Sequence, residues 1–355
     1  MKKKLEFALF ALNSNSGIAM TTSKFRWSAS PEESIQVAKF ADKHFDYIFS
    51  VQRWLGFGGK TDPAGMTYDS SNFISAISTV TKKIKLIVTM HTSIIHPTHA
   101  ARIMATIDQF SQGRVLLNVV CGWNIREFKM FNTNFNPEQN SYLQGAEWIK
   151  IYKNILSGKK VNFSGNFFNV TNASSKPILF KKKSPKILSA AFSKEGRDFA
   201  FKNTDILVTM FSDIRALKHQ VLSIKKKSKK YKKNFKVFVL CHVVCKKTDK
   251  DAKKYYDYYA KQKIDIEAVK NFSNIIANNP KNKILKSLQN DNLKKMAGGI
   301  GSYPIIGSPK TVIDELDKIK KCNVDGVALS FLNYKKEIKF FAKKVLNAIK
   351  NNESK

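Results

Sequence analysis

The sequence predicts an α/β fold, a (β/α)8 TIM barrel with insertions, and three observations point there. Apolar, β-rich runs alternate with helical patterns along the chain instead of clustering. Eight such runs can be counted, each near-continuously apolar, as strands covered by helices on both faces must be. A length of 355 residues suits such a barrel with extra segments, and 43% apolar content supplies its core. The competing arrangement, an open doubly wound sheet, would usually place GxGxxG after its first strand, and none is present there.

The first strand is LEFALFAL from Leu5; the basic opening before it is followed by too few apolar residues, and no small-residue cleavage site, for a signal peptide. SPEESIQVAKFADKH then reads as a helix with Ser30 as N-cap, Pro31 at N1 and Glu33 completing a capping box. DYIFSV from Asp46 and IKLIVTMH from Ile84 are the second and third strands. HPTHAARIMATIDQFSQG spaces its apolar residues three and four apart and closes near Gly113, before VLLNVVCG from Val115. VNFSGNFFNVTNAS, from Val161, forms a hairpin turning near Gly165, within an insertion around 160–180. KILSAAF from Lys186, DILVTMF from Asp205 and KVFVLCHVVC from Lys236 follow as strands. A second insertion, 264–307, adds helix and ends in MAGGIGSYPIIGSP, whose glycines read as a loop able to reshape over an active site. SPKTVIDELDKIKKC, capped by Ser308 and Pro309, leads into DGVALSF from Asp325. With no repeat or linker, 1–355 reads as one domain.

The formal charge of +35 invites a phosphate-rich partner, yet only seven of the 62 basic residues are Arg, the side chain suited to bidentate phosphate and base contacts. Lys is spread over helix surfaces, with dense runs at Lys181 to Lys183 and Lys225 to Lys233. The charge therefore reads as solvated surface with a general attraction for anions, and neither nucleic acid nor membrane is an expected partner. No run approaches the roughly 20 apolar residues of a membrane span, so a cytoplasmic protein is expected. Cys121, Cys241, Cys245 and Cys322 lack CxxC spacing and histidines at zinc-ligand spacing; buried thiols and no metal are expected.

Barrel active sites form where strands end. The ends here are SVQRWLGFGGKT, TMHTS, NVVCGWN, SAAFSKEG and SFLNY, rich in Gly, Trp, Asn, Ser and His. VQRWLGFGGKT offers amide-rich glycines beside large aromatics, suited to a planar ring, or is a long irregular loop with a packed Trp. In FSKEGRD, Ser193 and the amides up to Gly196 could hold a phosphate at a helix start, or Ser193 is a plain N-cap. His91 could donate a proton or bind an oxyanion, or simply pack; His96 and His99 flank Pro97 as surface or capping groups. Asn118 lies in a strand otherwise of Val, Leu and Cys and needs partners, from a ligand or from the core. With no nucleophile elbow, HExxH, P-loop or paired carboxylates, the chemistry points to an organic cofactor.

RWLGFGGKT, THAARIMATIDQFSQGRVLLNVVCGWNIREFKMFN, GSYPIIGSPKTVIDEL and VDGVALSF together resemble the bacterial luciferase-like flavin monooxygenases, in the branch holding dimethylsulfone monooxygenase and pyrimidine oxygenase. The resemblance runs from first strand to last. It implies reduced FMN from a separate NAD(P)H flavin reductase, molecular oxygen, a flavin peroxide, a homodimer or homotetramer, and a small organosulfur substrate, sulfone or sulfonate, cleaved at a C–S bond. It places Val51 and Gln52 along the flavin ring, Thr89 near the oxygen-reactive edge, Asn118 and Glu127 on the ring and ribityl side, and Tyr142 and Ser193 at the phosphate. It brings Asn118 and Trp123 to the reacting oxygen, and His91 stands beside them as a candidate catalytic group. Relatives usually carry Arg where this chain has Ser141. Other activities compatible with the resemblance are pyrimidine ring opening, deazaflavin-dependent hydride transfer, and flavin binding without turnover.

Overall fold

The computed structural model describes residues 4–133, 141–181, 183–231, 234–277 and 293–353. Its strands are β1 (Glu6–Phe10), β2 (Tyr47–Phe49), β3 (Lys85–His91), β4 (Val115–Val120), β5 (Val161–Ser164), β6 (Asn169–Ala173), β7 (Ile187–Ala190), β8 (Ile206–Thr209), β9 (Lys236–Cys245), β10 (Tyr303–Gly307) and β11 (Gly326–Ser330). Eight of them, in the order β9-β11-β1-β2-β3-β4-β7-β8, pair in parallel, and β8 returns to β9 to close a (β/α)8 barrel. These eight are the apolar runs read from the sequence. β5 and β6 form the expected antiparallel hairpin outside the barrel.

The register is fixed at the strand starts by a device repeated three times. Asp46, Asp205 and Asp325 each immediately precede a strand. Each donates its main-chain N–H to a carbonyl of the adjacent strand (Phe7, Ile187 and Val237, at 2.9, 2.8 and 2.8 Å). Each carboxylate then accepts the N–H of that same residue, at 2.9, 2.9 and 2.8 Å. A one-residue slip would break both bonds and turn every apolar side chain to the wrong face. Asp325 is further braced by Lys225 at 2.5 Å, whose ammonium also donates to the Phe235 carbonyl.

Helix caps follow the sequence with one difference. Ser30 accepts the Glu33 N–H, as a capping box requires, but the Glu33 carboxylate accepts from the Ser28 hydroxyl at 2.8 Å instead of returning to Ser30. Ser28 takes over that half, accepting the Ser30 N–H. Gln112, in the left-handed conformation, ends Pro97–Ser111 just before Gly113.

The end of the second insertion departs from the sequence reading. Tyr303–Gly307 is a strand, β10, where a reshaping loop was expected. The reason lies in β9, ten residues long. Its first half pairs with β8 and closes the barrel; β8 ends at Thr209, opposite Val239, so Cys241–Cys245 run on with a vacant edge that β10 fills in parallel. Residues 278–292 of the insertion lie outside the described residues.

Asp325→Ala should lower stability by about 2–4 kcal/mol, since it strands the buried Val237 amide and removes the partner of Lys225. Urea denaturation checks this: the midpoint should fall with an unchanged m-value.

Candidate active site

All eight barrel strands end at one rim, and there a cleft enclosing 1230 Å³ of empty space, open to solvent, opens among residues of β1, β2, β3, β4, β7, β8 and β9. The second insertion closes over it: Phe272 and Ile276, on helix Ile266–Ala277, and Ile300 line its upper wall.

A hydrogen-bonded chain of uncharged groups crosses one side. Asn118 and Thr89 are direct neighbours on β4 and β3. Asn118 Nδ2 donates to Thr89 Oγ1 at 3.2 Å, and the Thr89 hydroxyl donates to the Ser50 carbonyl at 2.6 Å. The Ser70 hydroxyl accepts the Thr89 N–H and sits 2.6 Å from the Ser50 hydroxyl. The Asn118 amide is thereby oriented with Oδ1 buried in the cleft wall and without a partner. An orphaned buried acceptor costs about 1–3 kcal/mol. Val51 is clamped from behind by Asn13, whose Oδ1 accepts its N–H at 2.9 Å and whose Nδ2 donates to its carbonyl at 2.7 Å. Gln52 accepts the Ser70 N–H and donates to Asp69, which fixes it against the next helix start.

Beyond that chain, from the end of β3 onward, come the aromatic and charged groups. His91 is 2% exposed, with Trp54 at 5.0 Å between ring centroids. Burial, then the positive charge of Arg53, pushes its pKa down to about 3, so it is neutral at physiological pH. Its Nδ1 has no partner. Arg53 lays its guanidinium over the Trp123 ring at 4.0 Å. Glu127 is buried behind them, and its Oε1 accepts the Trp54 and Leu55 amides at 3.2 and 3.3 Å.

At the β7 end, Tyr142 and Ser193 meet, hydroxyl to hydroxyl, at 3.4 Å. Ser193 is also the N-cap of Lys194–Asn203, accepting the Gly196 N–H at 3.0 Å. Ser193 thus caps the helix, as one sequence reading has it, and also lines the cleft. A Cβ on Gly196 would come within 2.6 Å of the Tyr142 hydroxyl, so glycine is needed for Tyr142 to approach. Ser141 begins helix Ser141–Leu156, buried and off the cleft wall.

The family model for luciferase-like monooxygenases matches residues 5–326. The chain belongs to the luciferase-like monooxygenase family. Among its relatives, it is 26% identical to the FMNH(2)-dependent dimethylsulfone monooxygenase of Pseudomonas putida, over 99% of this chain and 97% of that one. It is 25% identical to the pyrimidine monooxygenase RutA of Rhizobium rhizogenes, over 98% of this chain and 97% of the relative. Among solved structures, DmoA from Hyphomicrobium sulfonivorans superposes with a TM-score of 0.84 at 17% identity, covering 99% of this chain and 89% of that one.

In this member of the family, Val51, Gln52, Thr89, His91, Asn118, Trp123, Tyr142 and Ser193 all line the cleft, whereas Glu127 and Ser141 stand behind its wall. The glycine-rich stretch does something other than bed a planar ring. Its glycines lie off the cleft and clasp the insertion. Thr61 donates its N–H and hydroxyl to Asp265 Oδ2 at 2.9 and 2.8 Å. Gly59, at φ +74°, lets the chain pass where a Cβ would sit 2.3 Å from Asp265 Oδ1. Asn271 donates to the Phe57 carbonyl, and Phe57 packs on Phe272 at 4.8 Å. Asn13, Ser50, Ser70 and Asp265 act only through contacts between segments distant in sequence, and none carries a local signal. Arg53 had one: it is a rare Arg in a chain that uses Lys almost everywhere.

Two outcomes are expected. His91 and His242, both at about pKa 3 in the fold, have ordinary values near 6.5 when unfolded. As pH falls below about 6.5, the unfolded chain takes up protons that the folded chain refuses; stability drops by up to about 1.4 kcal/mol per pH unit for each histidine, until about pH 3. His91→Gln should remove one histidine's share of that slope between pH 7 and pH 5 in urea titrations. Asp265→Ala should free the clasp, and hydrogen exchange should quicken at Gly58–Thr61 and Ile266–Ala277 while the amides of β3 and β4 stay protected.

Proposed function

We propose that the protein is a two-component, FMNH2-dependent monooxygenase that uses O2 on a small organosulfur compound, a sulfone or sulfonate, and breaks a C–S bond. Reduced FMN would come from a separate flavin reductase. The observation that carries this reading is the Asn118–Thr89 pair, which holds an unsatisfied acceptor at the rim of the barrel.

The cleft residues fit FMN. An apolar floor that includes Phe49, Val208 and Leu240 suits a large planar ring, beside the Val51–Gln52 segment held rigid by Asn13. The paired Tyr142 and Ser193 hydroxyls suit a phosphate end, with no charge from Ser141. Bound there, reduced FMN supplies the electrons that activate dioxygen. The chain's own part is electrostatic and steric. Asn118 accepts from a donor at the ring edge, Thr89 keeps its amide oriented, neutral His91 offers an uncharged wall, and the Phe272–Ile276 helix excludes water. The names of the Pseudomonas relatives support the sulfone, and those of the RutA relatives make uracil the alternative substrate.

The deciding experiment loads the protein anaerobically with reduced FMN and mixes it with oxygenated buffer, with dimethylsulfone, with methanesulfonate, with uracil, and alone. Oxygen-dependent appearance of a sulfur oxyanion product upholds the reading. Product formed only from uracil selects ring opening; product formed without oxygen, or none with oxygen, overturns the monooxygenase. Asn118→Ala should fold normally yet lower the fraction of consumed oxygen recovered in product by at least about tenfold. Unchanged coupling would remove Asn118 from the chemistry.

A further inference from the structure

Arg53 is the one charged side chain among the described residues that line the cleft. Its surroundings leave its fork without a bonded partner. Nη1 is buried with no hydrogen-bond partner. Burial lowers the Arg53 pKa from its ordinary value and the negative charge of Glu127 offsets part of that; Glu127 spends Oε1 on the Trp54 and Leu55 amides, and its buried Oε2 is likewise without a partner, so the two groups share no hydrogen bond. What holds Arg53 is cation–π contact: the guanidinium lies over Trp123 at 4.0 Å, with Phe57 at 5.8 Å. Trp123 in turn leans on Phe272 of the insertion, 6.3 Å between centroids. A permanently charged fork in a mainly apolar cleft, oriented but not hydrogen-bonded, is costly unless a ligand completes it. Its geometry matches two oxygens of one anionic head group.

We propose that Arg53 is the specificity-determining residue of the substrate pocket, and that the substrate is an organosulfur oxyanion, a sulfonate head on a short apolar stem, in preference to a neutral sulfone. The proposal rests on the organosulfur reading above and narrows it. The head group lies against the Arg53 fork, and the stem lies against Phe272, Ile276 and Ile300.

Methanesulfonate and dimethylsulfone make the test, because they differ little in size and shape and chiefly in charge. Calorimetric titration of each into the FMN-loaded protein, oxidised so that no turnover occurs and at constant ionic strength, should show methanesulfonate binding at least about tenfold tighter. Arg53→Gln should abolish that preference while leaving FMN affinity, read by flavin fluorescence, and the melting temperature within error of the wild type. Arg53→Lys should restore only part of it, since the charge returns without the fork. Equal binding of the two compounds by the wild type overturns the proposal, and so does an Arg53→Gln variant that keeps its preference, as surface lysines would then be the anion site. Loss of FMN affinity in Arg53→Gln also overturns it, by assigning Arg53 to the flavin. The two readings fail separately. Anion preference lost with Arg53 but no oxygen-dependent product leaves the subsite standing without the monooxygenase; oxidation of dimethylsulfone with no anion preference does the reverse.

Discussion

The length of β9 sets up everything above the barrel. Its first half closes the cylinder between β8 and β11, and its second half projects beyond the rim with one edge vacant. β10 fills that edge, which pins the far end of the second insertion at a fixed height over the strand ends. The near end is pinned by Asp265 on Thr61. Between these two anchors the helix Ile266–Ala277 presents Phe272 and Ile276 to the cleft. A lid held at both ends by main-chain pairing and a buried carboxylate is a positioned wall, which sets apolar side chains over one side of the cleft.

Beneath that wall the charges are sorted. Eight parallel strands bring uncharged hydrogen-bonding groups to the rim, and burial keeps His91 neutral among them. The remaining cation, Arg53, lies over Trp123 and takes no part in the Asn118–Thr89–Ser50 chain that β3 and β4 assemble by register. Low polarity raises the worth of every properly aimed dipole and the penalty for each one left unmatched. Three of the unmatched atoms, Asn118 Oδ1, His91 Nδ1 and Arg53 Nη1, belong to residues of the cleft wall, which is where ligand groups would complete them. The +35 formal charge takes no part in this sorting: it resides chiefly in lysines outside the wall.

Much of the molecule was legible in advance. Apolar runs bounded by Gly, Pro and Asp mark all eight barrel strands because a strand covered on both faces must be apolar throughout. Ser30, Gln112–Gly113 and Ser308 mark helix ends because capping is a local matter of a few residues. Eight of the ten candidate site residues, reached from strand ends or through the family resemblance, line the cleft, since strand ends in a parallel barrel converge whatever the details. Glycines misled where their function was a long-range contact: Gly59 is small to admit Asp265, 206 positions later, not to admit a ring. β10 was hidden because five residues with a proline carry almost no strand signal of their own; their partner edge exists only once β8 has stopped short.

The sequence by itself determined the periodicities, the caps, the closed parallel sheet and the short list of polar groups at strand ends. Each of these depends on residues near one another in the chain or on a repeated pattern. Only the tertiary structure decided which amide is left unsatisfied, that Glu127 faces the Trp54–Leu55 backbone and not the cleft, that the glycines hold a lid, and that one arginine lies over Trp123 beside it. Those properties are sums over neighbours contributed by β2, β3, β4 and the second insertion at once. Burial and hydrogen-bond satisfaction have no value until all of those neighbours are in place.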